Sequence, residues 1–208
     1  MLIDAFFERH LLQRTSTPER WQLWYGASPF VSETESVLRP NTDDPTSASN
    51  VRYRFVANPG DAYDHRPYPW LRIERDAEMV PVTVKRRPFL VLSQTLPPWV
   101  HGGKREREDA YLVLPLFSFH PDDSPEFTRR VRQWEFPPLI HIPAQGSMLN
   151  EGYLRVDRIH TVSRNLMNPF NFRLTQDGIR IVEGWVQYHL TGEIDPVLAE
   201  WRQVLLQS

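Results

Sequence analysis

The stretch "YLRVDRIHTV", residues 153–162, carries the pattern on which the fold prediction depends. Read as a β-strand, it alternates its side chains between two faces, so Leu154 and Val156 point one way. Arg155 and Asp157 then share the opposite face, two residues apart. The pattern predicts a half-buried strand whose two charged residues are either a solvated ion pair or part of a functional site.

Four further stretches have the same strand-like texture, because each is rich in β-branched or aromatic residues and is bounded by proline, glycine or charged loops. They are VRYRFVA (51–57), PVTVKRRPFLVLS (81–93), AYLVLPLFSF (110–119) and PPLIHIPA (137–144). The chain also has 19 prolines and 9 glycines, which favours short elements with rigid connections. Most of these stretches follow one another without a helical period between them, so the prediction is an antiparallel, coiled sheet or small barrel.

Helices are predicted at both ends of the chain. At the C-terminal end, an apolar stripe runs from Ile179 to Leu190 with Gly192 in a C-cap position, and a short helix follows with Asp195 as its N-cap. At the N-terminal end, apolar residues at helical spacing predict one short helix, and Ser16 opens a capping-box pattern for a second. The N-terminal stripe consists of Leu2, Ile3, Phe6, Phe7, Leu11 and Leu12.

The composition and the hydrophobic pattern of the sequence divide the chain into three parts. Residues 1–31 form the predicted N-terminal helical extension. Residues 32–50 are polar and punctuated by proline, which predicts a linker or a mobile loop. Residues 51–208 hold the strands and the C-terminal helices, and they form the predicted main domain.

Composition limits the partners and the location. The formal net charge of −2 gives no global attraction to nucleic acid, so any such site has to be a local basic surface. The chain has no cysteine, which excludes disulfides and thiolate chemistry. No apolar run approaches the roughly 18 residues of a membrane span, and the N-terminus lacks a basic leader with a cleavage site. We therefore expect a soluble, cytoplasmic protein with no membrane partner.

The order of "KRRPFLVLS", "YLVLPLFS", "YLRVDRIHTV" and a final helix resembles the MazF/PemK/Kid family of bacterial toxins, over about residues 51–192. The resemblance implies an SH3-like (PemK/MazF-like) antiparallel barrel at residues 51–208, with the C-terminal helix packed across it. It also implies a homodimer, and a cognate antitoxin protein that covers the site in a type II toxin–antitoxin system. The activity that it implies is cleavage of single-stranded RNA in the cytoplasm.

The resemblance also implies site residues. Arg87 matches the arginine of the family's Arg-Pro strand, and Arg155 and Asp157 match its Arg-x-Asp pair, so these three residues are the predicted catalytic set. Ser118 lies where the family has a Thr/Ser pair and is a predicted substrate-binding residue. Phe117 takes the place of the first hydroxyl residue of that pair, and the family's short first loop is replaced by a longer segment. The basic run and the loop after it add three more predicted substrate-binding residues, namely Lys85, Arg86 and Trp99.

Cleavage of RNA by its own 2′-OH needs a base, cations for the phosphorane charge and a proton for the leaving 5′-oxygen. Asp157 is the candidate base, and an apolar setting would raise its pKa from an ordinary value near 4. Arg87 and Arg155 supply fork-shaped positive charge to phosphate oxygens. The histidines and acids have no metal-ligand spacing such as H-E-x-x-H, and there is no P-loop or G-x-G-x-x-G, so we expect no metal and no cofactor.

Two alternatives to the enzyme stay open. One is a non-catalytic barrel module of the same fold that binds a protein partner or nucleic acid, having lost the active site through Phe117 and the altered first loop. The other is a module whose N-terminal segment acts as a built-in lid or antitoxin-like element. Each charged residue also has a structural interpretation, since Arg155 and Asp157 can pair with each other and Arg87 can be one of a solvated basic run.

Overall fold

The computed structural model describes residues 5–30, 36–41, 46–47, 51–57, 83–93, 99–101, 104–106 and 110–207. Over these residues the protein is mainly antiparallel β-sheet with three helices. The strands are β1 Phe7–Arg9, β2 Gln22–Phe30, β3 Ser36–Asn41, β4 Arg52–Ala57, β5 Thr83–Val91, β6 Trp99–His101, β7 Lys104–Glu106, β8 Ala110–Ser118, β9 Leu139–Ile142, β10 Gly152–Arg155, β11 His160–Ser163 and β12 Met167–Leu174. The helices are α1 Pro125–Arg132, α2 Gln176–Thr191 and α3 Pro196–Leu206.

The chain groups into two compact units, one formed by residues 1–28 and 86–208 and the other by residues 29–85. In the second unit β3 and β4 form an antiparallel hairpin, in which Ser36 lies opposite Ala57. β3 falls inside the segment predicted as a linker, so that segment contains a strand. The predicted boundaries after residues 31 and 50 otherwise stay predictions. No helix of the described residues is long and apolar enough to cross a membrane.

An eight-stranded sheet dominates the first unit. Its strands lie in the order β1, β12, β2, β5, β8, β10, β9, and β11 pairs with β8 beside this path. The path ends at β1 and β9, which do not pair with each other in the described residues, so the sheet is open over this part of the chain. One edge of β8 pairs with β5, and its other edge is shared by β10 and β11.

The stretch 153–162 is not one continuous strand as predicted. It forms the end of β10, a 3₁₀ turn at Val156–Arg158, and β11. Leu154 pairs with Leu116 and His160 pairs with Val113, so residues 155–159 lie opposite only residues 114 and 115 of β8. The turn takes up this excess of chain, and a single strand cannot do so without a change of register.

The predicted N-terminal helical extension is wrong over the described residues, because residues 7–9 and 22–30 are strands. Phe7 pairs with Leu174 of β12, so a partner far along the chain supplies its backbone hydrogen bonds. Leu11, which belonged to the predicted apolar stripe, is 88% exposed. Ser16 caps no helix, and its hydroxyl accepts a hydrogen bond from the Gln13 N–H in a turn. Tertiary pairing has overridden a local periodicity.

The two C-terminal helices are confirmed. The Thr175 hydroxyl accepts from the Gly178 N–H at the start of α2, and Gly192 ends it with a φ of 76°, a left-handed conformation that glycine adopts without strain. Asp195 caps α3 as predicted, and its carboxylate accepts from two backbone N–H groups of the first turn. The sequence analysis did not predict α1, which begins after the N-cap Ser124.

The sheet carries an apolar cluster on each face. On one face, residues of β5, β8, β9 and β10 pack against α2 and α3, with Trp185 of α2 1% exposed. The second cluster lies on the other face and consists of Trp24, Phe89, Val91, Tyr111, Val113, Val162 and Met167. A central strand that is buried on both faces has a nearly continuous run of apolar residues. In β8 this run is "YLVLPL". This second face continues beyond its cluster into the aromatic and charged residues of the candidate site.

Candidate functional site

A row of four side chains crosses the sheet at the C-terminal end of β8. Tyr153 lies opposite Phe117 on one side and His141 on the other. Phe89 of β5 pairs with Pro115, so continuing that antiparallel register by two residues brings Arg87 opposite Phe117. Residues Arg87, Phe117, Tyr153 and His141 are called here the cross-strand row. Its centre is aromatic, because the Phe117 and Tyr153 rings stack with centroids 5.8 Å apart and planes 6° from parallel.

Two guanidinium groups converge on the Phe117 ring. The Arg87 guanidinium carbon lies 3.8 Å from the ring centroid, and that of Arg155 lies 5.6 Å from it. The two carbons are therefore no farther apart than the sum of these two distances, which is 9.4 Å. The prediction that Arg155 lies close to Arg87 thus agrees with the geometry. Each contact is of the cation–π type, in which the ring face attracts positive charge.

Arg87 combines positive charge with partial burial. Burial lowers the pKa of Arg87, and the neighbouring positive charge of Arg155 lowers it further, although Tyr153 opposes both effects. The Arg87 Nε is buried and has no hydrogen-bond partner among the described residues. A buried donor without an acceptor is costly, so a ligand oxygen that reaches it gains a favourable contact.

Arg155 and Asp157 form an ion pair, as the structural interpretation of the sequence predicted. The Arg155 Nε donates to Asp157 Oδ1 at 3.0 Å, and its terminal nitrogen contacts Oδ2. This bidentate hydrogen bond raises the pKa of Arg155 against the effect of burial. Burial would raise the pKa of Asp157, but the hydrogen bond and the charge of Arg155 outweigh it, and the pKa lies below its ordinary value. The apolar setting that would raise the pKa of this carboxyl group is therefore outweighed by its arginine partner.

His160 lies near the same charges and is held by two hydrogen bonds. Its Nδ1 contacts the Arg158 carbonyl oxygen at 2.9 Å, and its Nε2 contacts the Ser28 hydroxyl at 3.4 Å. Burial lowers the pKa of His160, the bond to Arg158 opposes this, and the charge of Arg87 lowers the pKa again. These contacts make His160 a packed, hydrogen-bonded residue of the structure.

The far end of the row is fixed by a carboxylate. Glu151 accepts hydrogen bonds from Arg132 at 2.7 and 2.8 Å and lies 2.8 Å from His141 Nε2. The hydrogen bond from Arg132, helped by His141, lowers the pKa of Glu151 to about 2. Burial lowers the pKa of His141, and Glu151 opposes that change. This Arg132–Glu151–His141 group ties α1 to β9 and to the residue before β10, and so positions the Tyr153 end of the row.

The remaining predicted site residues are not gathered at the row. Ser118 is exposed and follows Phe117 in an extended strand, so its side chain points to the opposite face. Arg86 precedes Arg87 in β5, and its guanidinium carbon lies 5.6 Å from the Tyr25 ring centroid. Lys85 is an exposed residue of β5. Trp99 belongs to β6, but its side chain lies outside the described part of the structure.

Sequence reasoning missed the two aromatic residues at the centre of the row. It treated Phe117 only as the loss of a hydroxyl group, whereas its ring contacts both arginines. It did not consider Tyr153, although the same alternation that paired Arg155 with Asp157 places Tyr153 on that face. The charges of Arg87, Arg155 and Asp157 all act on its hydroxyl, whose pKa is raised first by burial and then by Asp123. The period-two pattern was the signal that could have found it.

The arrangement has the properties of an anion site beside an aromatic surface. Paired arginine forks bind phosphate oxygens, and aromatic rings stack with nucleobases. No group of three or more His, Cys, Asp or Glu residues that could hold a metal ion occurs among the described residues. A comparison of the chain with family models, with curated proteins and with solved structures finds no match.

Proposed function

We propose that this protein is an endoribonuclease that cleaves single-stranded RNA through attack of the 2′-OH, without a metal ion. The observation that carries the proposal is the convergence of Arg87 and the Arg155–Asp157 pair on the Phe117 ring. Cations, a carboxylate and a stacking surface lie together there, and these are the parts that such a reaction needs. The sequence resemblance to the MazF/PemK/Kid toxins supports the same activity.

In this mechanism the scissile phosphate binds between Arg87 and Arg155, and a neighbouring base stacks on the Phe117–Tyr153 pair. Phosphate oxygens compete with Asp157 for the fork of Arg155, which releases the carboxylate from its bidentate contact. The freed Asp157 then accepts the proton of the 2′-OH as the 2′-oxygen attacks phosphorus. The two arginines stabilise the charge of the phosphorane, and the 5′-oxygen leaves with a proton taken from solvent water, to which Asp157 afterwards returns the proton that it accepted. The products are a 2′,3′-cyclic phosphate and a 5′-hydroxyl end.

The same resemblance supports finer proposals. We propose that residues 51–208 belong to the SH3-like barrel class, because the resemblance covers about residues 51–192. We also propose a homodimer, a cytoplasmic location and a cognate antitoxin that covers the row as part of a type II toxin–antitoxin system. A molar mass from light scattering tests the dimer, because a monomer has 24.5 kDa. The antitoxin is tested by asking whether the gene lies beside a short open reading frame, and whether co-expression of that frame removes the activity.

Incubation of the purified protein with a long mixed-sequence RNA in EDTA tests the activity. We expect discrete fragments with cyclic phosphate ends, and a loss of at least about 100-fold in rate for Asp157→Asn, because the base is removed while the shape is kept. Asp177→Asn is the matched control, since Asp177 is an exposed residue in the first turn of α2. The proposal fails if the RNA stays intact, or if Asp157→Asn cleaves as fast as the wild type.

A second candidate function is RNA binding without cleavage. The lowered pKa of Asp157 favours it, because a carboxylate with a low pKa that is held by an arginine is a weak base. The two candidates share the binding residues and differ in the products. Retention of labelled RNA by the protein, with no new fragment ends after prolonged incubation in EDTA, would select the binding function.

A further inference from the structure

A cavity of about 380 Å³ in the first unit is lined by three arginines, Arg14, Arg86 and Arg164. The side-chain amides Asn165 and Asn168 also line it, and the other lining residues are apolar. None of the described residues that line the cavity carries a carboxylate. Among the described residues, none of the three arginines forms an ion pair with an Asp or Glu side chain. Over the described part of the chain, the cavity therefore gathers three positive charges with no acidic partner.

One of these charges is fixed in place by the fold. Arg164 donates to the carbonyl oxygens of Arg14 at 2.6 Å, Ser16 at 2.8 Å and Met167 at 3.2 Å. Its guanidinium carbon also lies 4.7 Å from the Trp24 ring centroid. These contacts hold the Arg164 side chain in place before any ligand binds. Its conformational entropy is therefore lost on folding and not on binding. They also connect the N-terminal segment to β12, which makes Arg164 unsuitable for a test by substitution.

Arg14 and Arg86 are exposed, and the guanidinium group of neither donates a hydrogen bond within the described residues. They are therefore available to close on a ligand. Arg86 is the neighbour of Arg87 in an extended strand, so the two side chains point to opposite faces of the sheet. None of the four residues of the cross-strand row lines the arginine cavity. A volume of about 380 Å³ lies in the range of small-molecule sites, which are about 300–1,000 Å³.

We propose that the arginine cavity binds the phosphate group of a nucleotide. Arg164 supplies a preorganised charge, Arg14 and Arg86 supply mobile charge-assisted donors, and the two asparagine amides supply neutral ones. The phosphate belongs either to a free mononucleotide or to one residue of a nucleic-acid strand. The proposal does not depend on RNA cleavage at the cross-strand row.

Isothermal titration calorimetry tests the proposal with three probes: adenosine 5′-monophosphate, adenosine, and a short oligodeoxynucleotide that lacks the 2′-OH and cannot be cleaved. The variant is Arg14→Gln combined with Arg86→Gln, and the control is Arg180→Gln, an exposed arginine of α2. We expect the monophosphate to bind at least about tenfold more tightly than adenosine, because charge-assisted hydrogen bonds to the phosphate are about twice as strong as neutral ones. The double variant should lose at least about tenfold in affinity, and the control should not change.

The oligodeoxynucleotide distinguishes the two sources of phosphate. The site binds a nucleic-acid strand if the oligodeoxynucleotide binds, the monophosphate does not, and the double variant has a lower affinity for the oligodeoxynucleotide. Tight binding of the monophosphate instead identifies a free nucleotide as the ligand. The proposal is overturned if neither phosphate ligand binds, if adenosine binds measurably and as tightly as its monophosphate, or if the double variant binds its ligand like Arg180→Gln. Circular dichroism of the double variant checks that its fold is intact.

Discussion

Substitution of Glu151 by glutamine should remove a stabilising charge at the His141 end of the cross-strand row. Arg132 and His141 lower the pKa of Glu151 from 4.5 to about 2. A change of one in a pKa corresponds to about 1.36 kcal/mol, so the lowering of the Glu151 pKa corresponds to at most about 3.4 kcal/mol of folding free energy. The Glu151 side chain is 31% exposed and that of Arg132 is 51% exposed, so solvent screening reduces the effect. We expect Glu151→Gln to lose about 2 kcal/mol at neutral pH.

The sign of the pH dependence follows from the direction of the shift. A carboxyl group with a lowered pKa in the folded state contributes stability above its unfolded pKa of about 4.5, and this stability disappears as the pH falls toward 2. His141 affects stability in a higher pH range. Because the pKa of His141 is lowered in the folded state, the unfolded chain binds a proton there first as the pH falls below about 6.5, and the folded state loses stability. The difference between wild type and Glu151→Gln should therefore be large at neutral pH and shrink below pH of about 4.5.

Urea unfolding followed by tryptophan fluorescence measures this difference, since the chain contains 7 tryptophans. The matched control is Glu183→Gln, because Glu183 pairs with Arg20 at 3.1 Å while both side chains are about half exposed. Exposed pairs contribute about 0–1 kcal/mol, so this control should change stability little. Equal stability of Glu151→Gln and wild type at neutral pH, or a difference that stays constant down to about pH 2.5, would refute the reasoning.

Two further predictions concern the same row. Gly152→Ala should destabilise the protein by about 1–3 kcal/mol in urea unfolding, because the added Cβ collides with the Phe117 carbonyl oxygen across the strand pair; unchanged stability would contradict this. A double-mutant cycle of Arg87→Gln and Phe117→Leu should give a coupling of about 1 kcal/mol, since the guanidinium carbon lies 3.8 Å from the ring centroid. The cycle of Arg155→Gln with Phe117→Leu, across 5.6 Å, should give less, and the reverse order would exclude the proposed contact.

The sequence predicted β4, β5, β8, β9 and both C-terminal helices, because in those segments the local pattern and the tertiary environment agree. It did not predict β6, β7 or β12. β8 is apolar and lies at the centre of the sheet, and α2 has a hydroxyl cap and a C-terminal glycine. The N-terminal segment shows the opposite case. Its apolar residues have helical spacing, yet the Leu12 N–H bonds to the Asn171 side chain at 3.0 Å, and β1 pairs with β12. No local pattern contains information about a partner so distant in the chain.

The candidate site was predicted in part. The resemblance placed Arg87 in one group with Arg155 and Asp157, and the structure brings these three residues together. The turn at Val156–Arg158 was not predictable from local sequence. It arises because β10 and β11 pair with the same edge of β8, and the chain between them is longer than the part of β8 that it passes. The lowered pKa of Asp157 followed neither from alternation nor from burial. It results from the bidentate geometry of one hydrogen-bonded pair, which appears only when the side chains are placed.

Because Arg86 and Arg87 are neighbours in β5, a change in the number of residues in this strand should disturb both surfaces more than a substitution of one basic residue by another. Because successive side chains alternate, one strand segment serves the arginine cavity with one arginine and the cross-strand row with the next. An insertion or deletion of one residue between Arg87 and the buried Phe89 would exchange the faces of both arginines while leaving the composition of the strand nearly intact. Homologues that use both surfaces should therefore accept substitutions among these basic residues more readily than any change in their spacing from Phe89.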